Sequence, residues 1–410
     1  MIFLPRHIKN KILSSAKHFK AILLLGARQT GKSTLLRNIL PDSKMIVFDP
    51  IQDLYDVRKD PDKFLDLFPA PLILDEVQFV PELLAALKRR VDQKDMMGQY
   101  YLTGSQNFSV LKSISESMAG RVAIFNLNPF TPLEISSMGD EKVWLDDYLS
   151  NPEEFVNSIH RIIPGLPPLN EFLFRGTYPR AVQLPLNELE GFFLSYIQTY
   201  VERDVRLIEK IENFTLFGDF LRLAAVSTAQ EINASHLGRE LNISSQTARK
   251  WLNMLLYSYQ WIELPPYKGS AIKRLSEKRK GYFKDTGLAC HLMRITSPES
   301  LVTSLKLGFL FETWVINYIH TCLSFLSPAN CYHWRAHSGS EVDLILERDG
   351  AFYPIEIKCK SKPNKTDASG IKVFCQNYPN LKIKPGLIIH AGEESYPIDK
   401  NIYALSWKAL

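Results

Sequence analysis

Two stretches of this 410-residue chain carry residue types at spacings that could do chemistry. Near the start, "GARQTGKST" sets Gly26, Gly31, Lys32 and Ser33 in a G-x-x-x-x-G-K-[ST] pattern, with Ala27, Arg28, Gln29 and Thr30 between the glycines and Thr34 at the end. Glycines let backbone N–H groups curl around phosphate, the lysine pairs with β/γ-phosphate oxygens, and the serine hydroxyl can ligate Mg²⁺. The set suits a nucleoside triphosphate, ATP, bound with Mg²⁺. Near the end, "EVDLILERDGAFYPIEIKCK" crowds carboxylates and lysines together. Asp349-Gly350 is a favoured two-residue hairpin turn. If it sets the register, Asp343 faces Glu356 and Glu341 faces Lys358. Alternation predicts Val342, Leu344 and Leu346 on one face, with Glu341, Asp343 and Ile345 on the other. Like charges directly opposite cost stability, and a divalent cation between them relieves that cost, because Mg²⁺ commonly takes one or two carboxylates. The cation could activate water for phosphodiester hydrolysis, with Lys358 orienting that water or neutralising charge.

These residues need elements to hold them. "AILLL" before the glycines and "STLLRNIL" after them read as strand and helix, the context in which the pattern cradles phosphate. "PLILDEV" reads as a buried strand delivering acids to its C-terminal edge, where ligands sit in open α/β sheets. There Asp75 would hold Mg²⁺ through water and Glu76 would polarise the attacking water. "YYLTGS" ends in Thr103 and Ser105, with Asn107 beyond, polar groups placed to sense a γ-phosphate. With "MIVFD" and "RVAIFNLN", these strands alternate with helical patterns and predict a parallel sheet over residues 1–135. Residues 136–215 read as a helical lid and connector, 216–285 as a helix-turn-helix with a wing, and 286–410 as a second α/β unit.

Within 216–285, "INASHLGRELNISSQTARKWLNMLL" gives two helices around a short break. The second puts Gln246, Arg249 and Lys250 on an exposed side, while Trp251, Leu252, Leu255 and Leu256 face the core. The following "YKGSAIKRLSEKRKGYFK" carries Lys268, Lys273, Arg274, Lys278, Arg279, Lys280 and Lys284 against one glutamate, shaped like a basic hairpin. Such a hairpin would neutralise nucleic-acid phosphates with little sequence preference, making DNA the candidate partner.

Composition bounds the rest. A net charge of +5 is too small for the whole chain to argue for nucleic acid, and 45% hydrophobic content marks a globular protein. Five cysteines show neither zinc spacing nor a disulfide framework, so free thiols in a reducing compartment are expected. No apolar run approaches the ~18 residues needed for a membrane span, and a cytoplasmic location is expected.

Ala21 to Glu134 resembles the AAA-type ATPases. In that class an arginine reaches into a neighbouring subunit's site, which implies a homo-oligomer. Arg121 in "MAGRV" is the leading candidate, beside Arg175, Arg203 and Arg206. The D-x12-E-x-K pattern resembles the restriction-endonuclease-like PD-(D/E)xK superfamily. By that resemblance Asp343 and Glu356 are metal ligands, Glu312 is an auxiliary helix acid and Lys358 is catalytic. The proline-acid pair before the first acid is missing, the sequence reading "SGSEVD". With "RGTYPRAV", "KDTGLA" and "GFLFETWV", the chain as a whole resembles a prokaryotic family of ATP-binding proteins, an AAA-type module preceding a winged helix and a nuclease-like fold. The function so implied is ATP hydrolysis coupled to a nucleic-acid-binding, Mg²⁺-dependent nuclease-like half. The alternative is a nucleotide-dependent switch or adaptor whose inactive nuclease-like domain binds a protein partner.

Overall fold

Short, mostly apolar runs build the first sheet: Ala21–Leu25 (β1), Lys44–Val47 (β2), Leu72–Asp75 (β3), Tyr100–Gly104 (β4) and Val122–Asn126 (β5). A computed structural model describes residues 2–49, 51–93, 95–105, 118–158, 160–200, 213–268 and 278–410. Asn107, Arg203, Arg206, Lys273 and Arg274 lie outside the described residues. The five strands are parallel in the order β2-β3-β4-β1-β5. β1, β3 and β4 are buried along their whole length, as central strands covered by helices on both faces must be. Leu25 pairs with both Gly104 and Asn126, so β1, β4 and β5 end together on one edge.

The middle of the chain is helical up to Gln230–Glu231 (β6), which with Trp261–Leu264 (β7) and Lys280–Phe283 (β8) forms an antiparallel sheet, β8 central. Helices Ala234–Glu240 and Ser245–Tyr257 precede β7, and Ser244 caps the second by accepting from Thr247 N at 3.0 Å. The last unit is a seven-stranded mixed sheet: Asn330–Arg335 (β9), Glu341–Arg348 (β10), Ala351–Lys358 (β11), Lys382–Ile383 (β12), Gly386–His390 (β13), Tyr396–Asp399 (β14) and Ile402–Ser406 (β15). Its order is β14-β15-β13-β11-β10-β9, with β12 beside β11. The α/β architecture matches the expectation.

The Asp349-Gly350 turn has φ of +52° and +72°, the left-handed pair that a two-residue hairpin of this twist requires. It gives the expected register, Leu344 opposite Ile355 and Arg348 opposite Ala351. One expectation fails. The pairing of β10 with β9 shifts between Val342 and Ile345, a bulge that breaks strict alternation. Val342 therefore packs with Ile345 toward the Ser369–Asn377 helix, while Leu344 and Leu346 join the core on the other face.

That second core is continuous from Leu133 to Leu410, running through the connector, the three-stranded unit and the Leu307–Phe325 helix. Phe155, Phe172 and Leu149 each contribute about 1.5–3 kcal/mol by burial across it. Tyr353 Oη donates to Leu149 O at 3.1 Å and Tyr148 Oη to Pro385 O at 2.6 Å, closing the junction. All five thiols are free, with Cys290 and Cys322 fully buried. Among the described residues no helix is long and apolar enough to cross a membrane.

Candidate functional site

The phosphate loop follows β1 directly. Gly26 has φ +148°, and a Cβ there would lie 2.3 Å from Leu127 O, so only glycine fits beside the end of β5. Gly31, at φ +92°, starts the Lys32–Ile39 helix in a left-handed conformation. Lys32 is buried and donates from Nζ to Gly26 O and Ala27 O, both at 2.9 Å. Thr30 Oγ1 donates to Ala27 O at 2.9 Å, pinning the turn. Arg28 is half-buried, and the exposed Gln29 adopts φ +60°.

β3 delivers Asp75 beneath this loop, 5% exposed. Ser33 Oγ donates to both its carboxylate oxygens at 2.9 and 2.8 Å, and Thr103 Oγ1 from β4 donates to Oδ1. Burial raises the Asp75 carboxyl above its ordinary range, against the lowering effect of those two hydroxyls. Glu76 follows at φ +62°, ψ +46°, an uncommon backbone for a side chain of its size, with its N–H donating to Thr103 Oγ1 at 3.0 Å. Gln78 bonds the Glu76 carboxylate and donates to Ser105 Oγ at 3.0 Å. Lys32, Ser33, Asp75, Glu76, Thr103 and Ser105 thus converge at one sheet edge. A hydroxyl and a buried carboxylate already in contact, beside a buried ammonium, make up a donor set that Mg²⁺ with a triphosphate would use.

Sequence reasoning missed four neighbours of the loop. Arg6, 4% exposed, donates from Nη1 to Thr30 O at 3.0 Å and from Nη2 to Asn128 O, and pairs with Glu134 at 3.1 Å. No local motif marks it, because its partners are 24 to 128 positions away. Arg180 and Pro179 line an apolar recess of about 200 Å³ with Phe3, Leu4, Gly31 and Thr34. The fourth is Gln78, two residues beyond the acids it supports.

Arg121 stands at the start of β5, on the sheet edge opposite the loop, paired to Asp92 at 2.5 and 3.0 Å. It is placed away from its own chain's nucleotide edge. Arg175 bonds Glu171 in its own helix, Ala181 O in the next helix, Pro179–Gln183, and Leu184 O at that helix's end.

In the C-terminal half, β8 brings a residue into the acid cluster that the sequence assigned elsewhere. Lys280 was expected on an exposed basic hairpin. Instead its ammonium lies 2.5 Å from Glu312 Oε1 and 3.3 Å from Asp343 Oδ1. Alternation along "KGYF" puts Lys280 on the face of Tyr282, which is fully buried and donates to Glu312 Oε1 at 2.9 Å. That alternation was the available signal. Burial lowers the Lys280 pKa, but the Glu312 and Asp343 charges more than offset it and hold the ammonium above its ordinary range. Asp343 also accepts from Ile357 N at 2.9 Å. Burial, and then the Asp343 charge, raise Glu312 to about 7.

Glu356, 3% exposed, takes Lys358 Nζ at 2.5 Å on Oε1, and its Oε2 is buried without a hydrogen-bond partner. Lys358 thus bonds Glu356 on its own strand, and not Glu341 as the register suggested. Glu312, Asp343 and Glu356 do share one region. Among the described residues, however, no group of three or more His, Cys, Asp or Glu converges as metal ligands.

The basic surface is likewise partly spoken for. Arg249 makes a two-pronged pair with Glu263 at 2.8 and 3.0 Å, and Arg279 Nη1 lies 3.8 Å from the same buried carboxylate. Gln246, Lys250 and Lys278 are exposed. The base of the hairpin is fastened to the last sheet, Tyr267 N donating to His333 O at 2.6 Å and His333 N to Pro265 O at 3.0 Å.

Residues 18–136 match the family described as an AAA domain. Residues 167–299 and 307–410 match two domains of unknown function, DUF8612 and DUF4143. Uncharacterized protein Rv2008c of Mycobacterium tuberculosis and uncharacterized protein Mb2031c of Mycobacterium bovis are each 28% identical over 386 residues, 94% of this chain and 79% of the relative. Among solved structures, the Walker-type ATPase paby2304 of Pyrococcus abyssi aligns with 71% of this chain and 96% of its own, at TM-score 0.41 and 18% identity. The Thermotoga maritima RuvB Holliday junction branch migration motor aligns with 67% and 95%, at TM-score 0.31 and 15% identity.

Proposed function

We propose that this protein binds and hydrolyses ATP and passes its nucleotide state to the C-terminal half. The observation that carries the reading is the buried Ser33–Asp75–Thr103 hydrogen-bond chain beneath a glycine-bounded loop whose lysine points back into the cradle. On ATP binding, Lys32 leaves the Gly26 and Ala27 carbonyls for the β/γ-phosphates, and loop amides take the remaining phosphate oxygens. Ser33 and, through water, Asp75 would hold Mg²⁺, which neutralises charge between the β- and γ-phosphates. Glu76 orients the attacking water once Gln78 releases its carboxylate, and Ser105 reads the γ-phosphate. The apolar recess beside Thr34 receives the base, with Arg180 at its rim. An arginine from a neighbouring copy, Arg121, completes the charge on the γ-phosphate within an oligomer.

For the C-terminal half, a switch is better supported than a nuclease, because Lys280 occupies the acid cluster. DNA remains the partner to test, on the exposed Gln246, Lys250 and Lys278.

One experiment addresses both readings. ATP turnover is measured with and without duplex DNA, for the wild type and Lys32→Ala. Removing the transition-state ammonium is expected to lower kcat by a hundredfold or more, with the fold retained. Equal turnover by the two proteins overturns the ATPase reading. Stimulation by duplex that weakens steeply with salt supports the DNA partner, and no response to duplex removes it.

A further inference from the structure

Arg6 is a buried cation set against the phosphate loop, and its backbone is anchored to the same helix that the loop begins. Arg6 O accepts from Lys9 N at 3.0 Å where the Ile8–Ser15 helix starts, and Ile8 and Ile12 of that helix share a core with Leu35 and Leu36 of the Lys32–Ile39 helix. The guanidinium is thereby held in a fixed place beside the loop. Its planar fork spans two carbonyls, Thr30 O in the loop and Asn128 O just beyond β5. Behind the fork, Nε lies 3.1 Å from Glu134 Oε1, and the guanidinium carbon sits 4.6 Å from the centre of the Phe130 ring.

The hold on Thr30 O has a consequence for the next amide. A trans peptide is planar, with its C=O and N–H pointing in opposite directions, and Thr30 O and the Gly31 N–H share one such plane. A donor that grips the carbonyl from one side therefore turns the amide to the other. The plane needs that outside grip, because Gly31, at φ +92° and without a Cβ, does little to fix it from within. The Thr30 hydroxyl is already committed to Ala27 O, which leaves Arg6 to hold the carbonyl. Loop amides are the groups that meet phosphate oxygens, so their direction decides whether the cradle is formed.

We infer that Arg6 is a positioning residue for the triphosphate: by gripping Thr30 O it aims the Gly31 N–H into the cradle, so that the loop is set for an anion before one arrives. The inference rests on the ATP site proposed above. Arg6 acts through the loop peptide and not on the phosphate itself.

The test measures affinity for a fluorescent ATP analogue with Mg²⁺, and kcat and KM for ATP, on the full chain well below each variant's melting midpoint. Arg6→Lys keeps a positive charge for Glu134 but lacks the fork that spans two carbonyls. It is expected to weaken binding and raise KM at least tenfold with kcat within about threefold of the wild type, the pattern of an interaction lost equally from ground and transition states. Glu134→Gln weakens the ion pair, leaves the grip on Thr30 O in place, and is expected to keep the wild-type KM. Unchanged affinity in Arg6→Lys overturns the inference, as does an equal loss in Glu134→Gln, which would make Arg6 a contact of the fold alone. Should Arg6→Lys not fold, Arg6→Met combined with Glu134→Gln removes both buried charges together. That pair is expected to show the same tenfold loss, and wild-type affinity there overturns the inference. A wild type that binds no analogue fails a step earlier, overturning the ATP site and the role of Arg6 with it, whereas a loss confined to the Arg6 variants leaves both standing.

Discussion

Lys284 is a buried amine set beside a histidine. It is 5% exposed, its Nζ lies 3.3 Å from His320 Nδ1, and burial pulls its pKa down to about 7 from the ordinary 10.5. Between pH 7 and 10.5 the unfolded chain holds this proton while the folded chain has released it, so stability rises with pH across that window and is flat below it. Each pH unit of displacement corresponds to ~1.4 kcal/mol, so the full effect is on the order of 3–5 kcal/mol. Lys284→Met keeps the length without the charge. Denaturant melts at pH 7 and pH 9.5 are expected to show a rise for the wild type, little change for Lys284→Met, and greater stability of Lys284→Met at pH 7. Parallel pH profiles would place the lysine in contact with water. At this scale the phosphate loop was legible from sequence, because its conformation is local and Gly26, Gly31 and Lys32 are all within six positions. Arg6 was not. It acts on residues far along the chain. Glu312 was reached only through the resemblance, although its own helix marks it: it lies among Phe311, Thr313, Trp314 and Val315, all buried, and a helix apolar on every side is a buried helix.

Strands and turns were legible wherever a local device sets them. The Asp349-Gly350 turn fixes β10 against β11, so the register followed from two residues. The bulge at Val342 is set by the pairing of β10 with β9, which no local pattern announces. Lys280 was misplaced for a related reason: a run of basic residues reads as a solvated surface until the strand beside it is known to cross another unit. β8 gives a sharp test of that crossing. Gly281 stands opposite Glu263 and beneath the buried Trp261 ring. Gly281→Ala drives a methyl group into that ring and is expected to cost about 1–3 kcal/mol, read as a lower denaturation midpoint. It should also loosen Lys280 and raise its rate of amine labelling. A variant as stable as the wild type would mean that Trp261 is free to move.

Across the whole molecule, the nucleotide edge and the acid cluster are joined by one short path. Pro179 lies against Gly31 and lines the recess beside Thr34. Two residues earlier, Thr177 O accepts from Phe130 N at 2.9 Å, while Thr177 N donates to Asp285 Oδ2 at 2.8 Å. Asp285 is fully buried and caps the Thr286–Leu292 helix through Leu288 N at 2.9 Å. A Cβ at Gly176 would lie 2.4 Å from Asp285 Oδ1, so this crossing has no slack. β8 and Lys280 lie a few residues before Asp285 on the same chain. A displacement of Pro179 by bound ATP therefore has a packed route to the residue that fills the acid cluster. Spatial connection alone does not establish coupling, which needs a change at one end measured on perturbing the other. Amide hydrogen exchange supplies it: a non-hydrolysable ATP analogue is expected to slow exchange across residues 280–292 of the wild type. Asp285→Ala, which removes the cap at a cost of about 1 kcal/mol, should still bind the analogue yet lose that protection. If the wild type shows no change over 280–292, the two ends work independently. If Asp285→Ala keeps the protection, the signal travels by another contact.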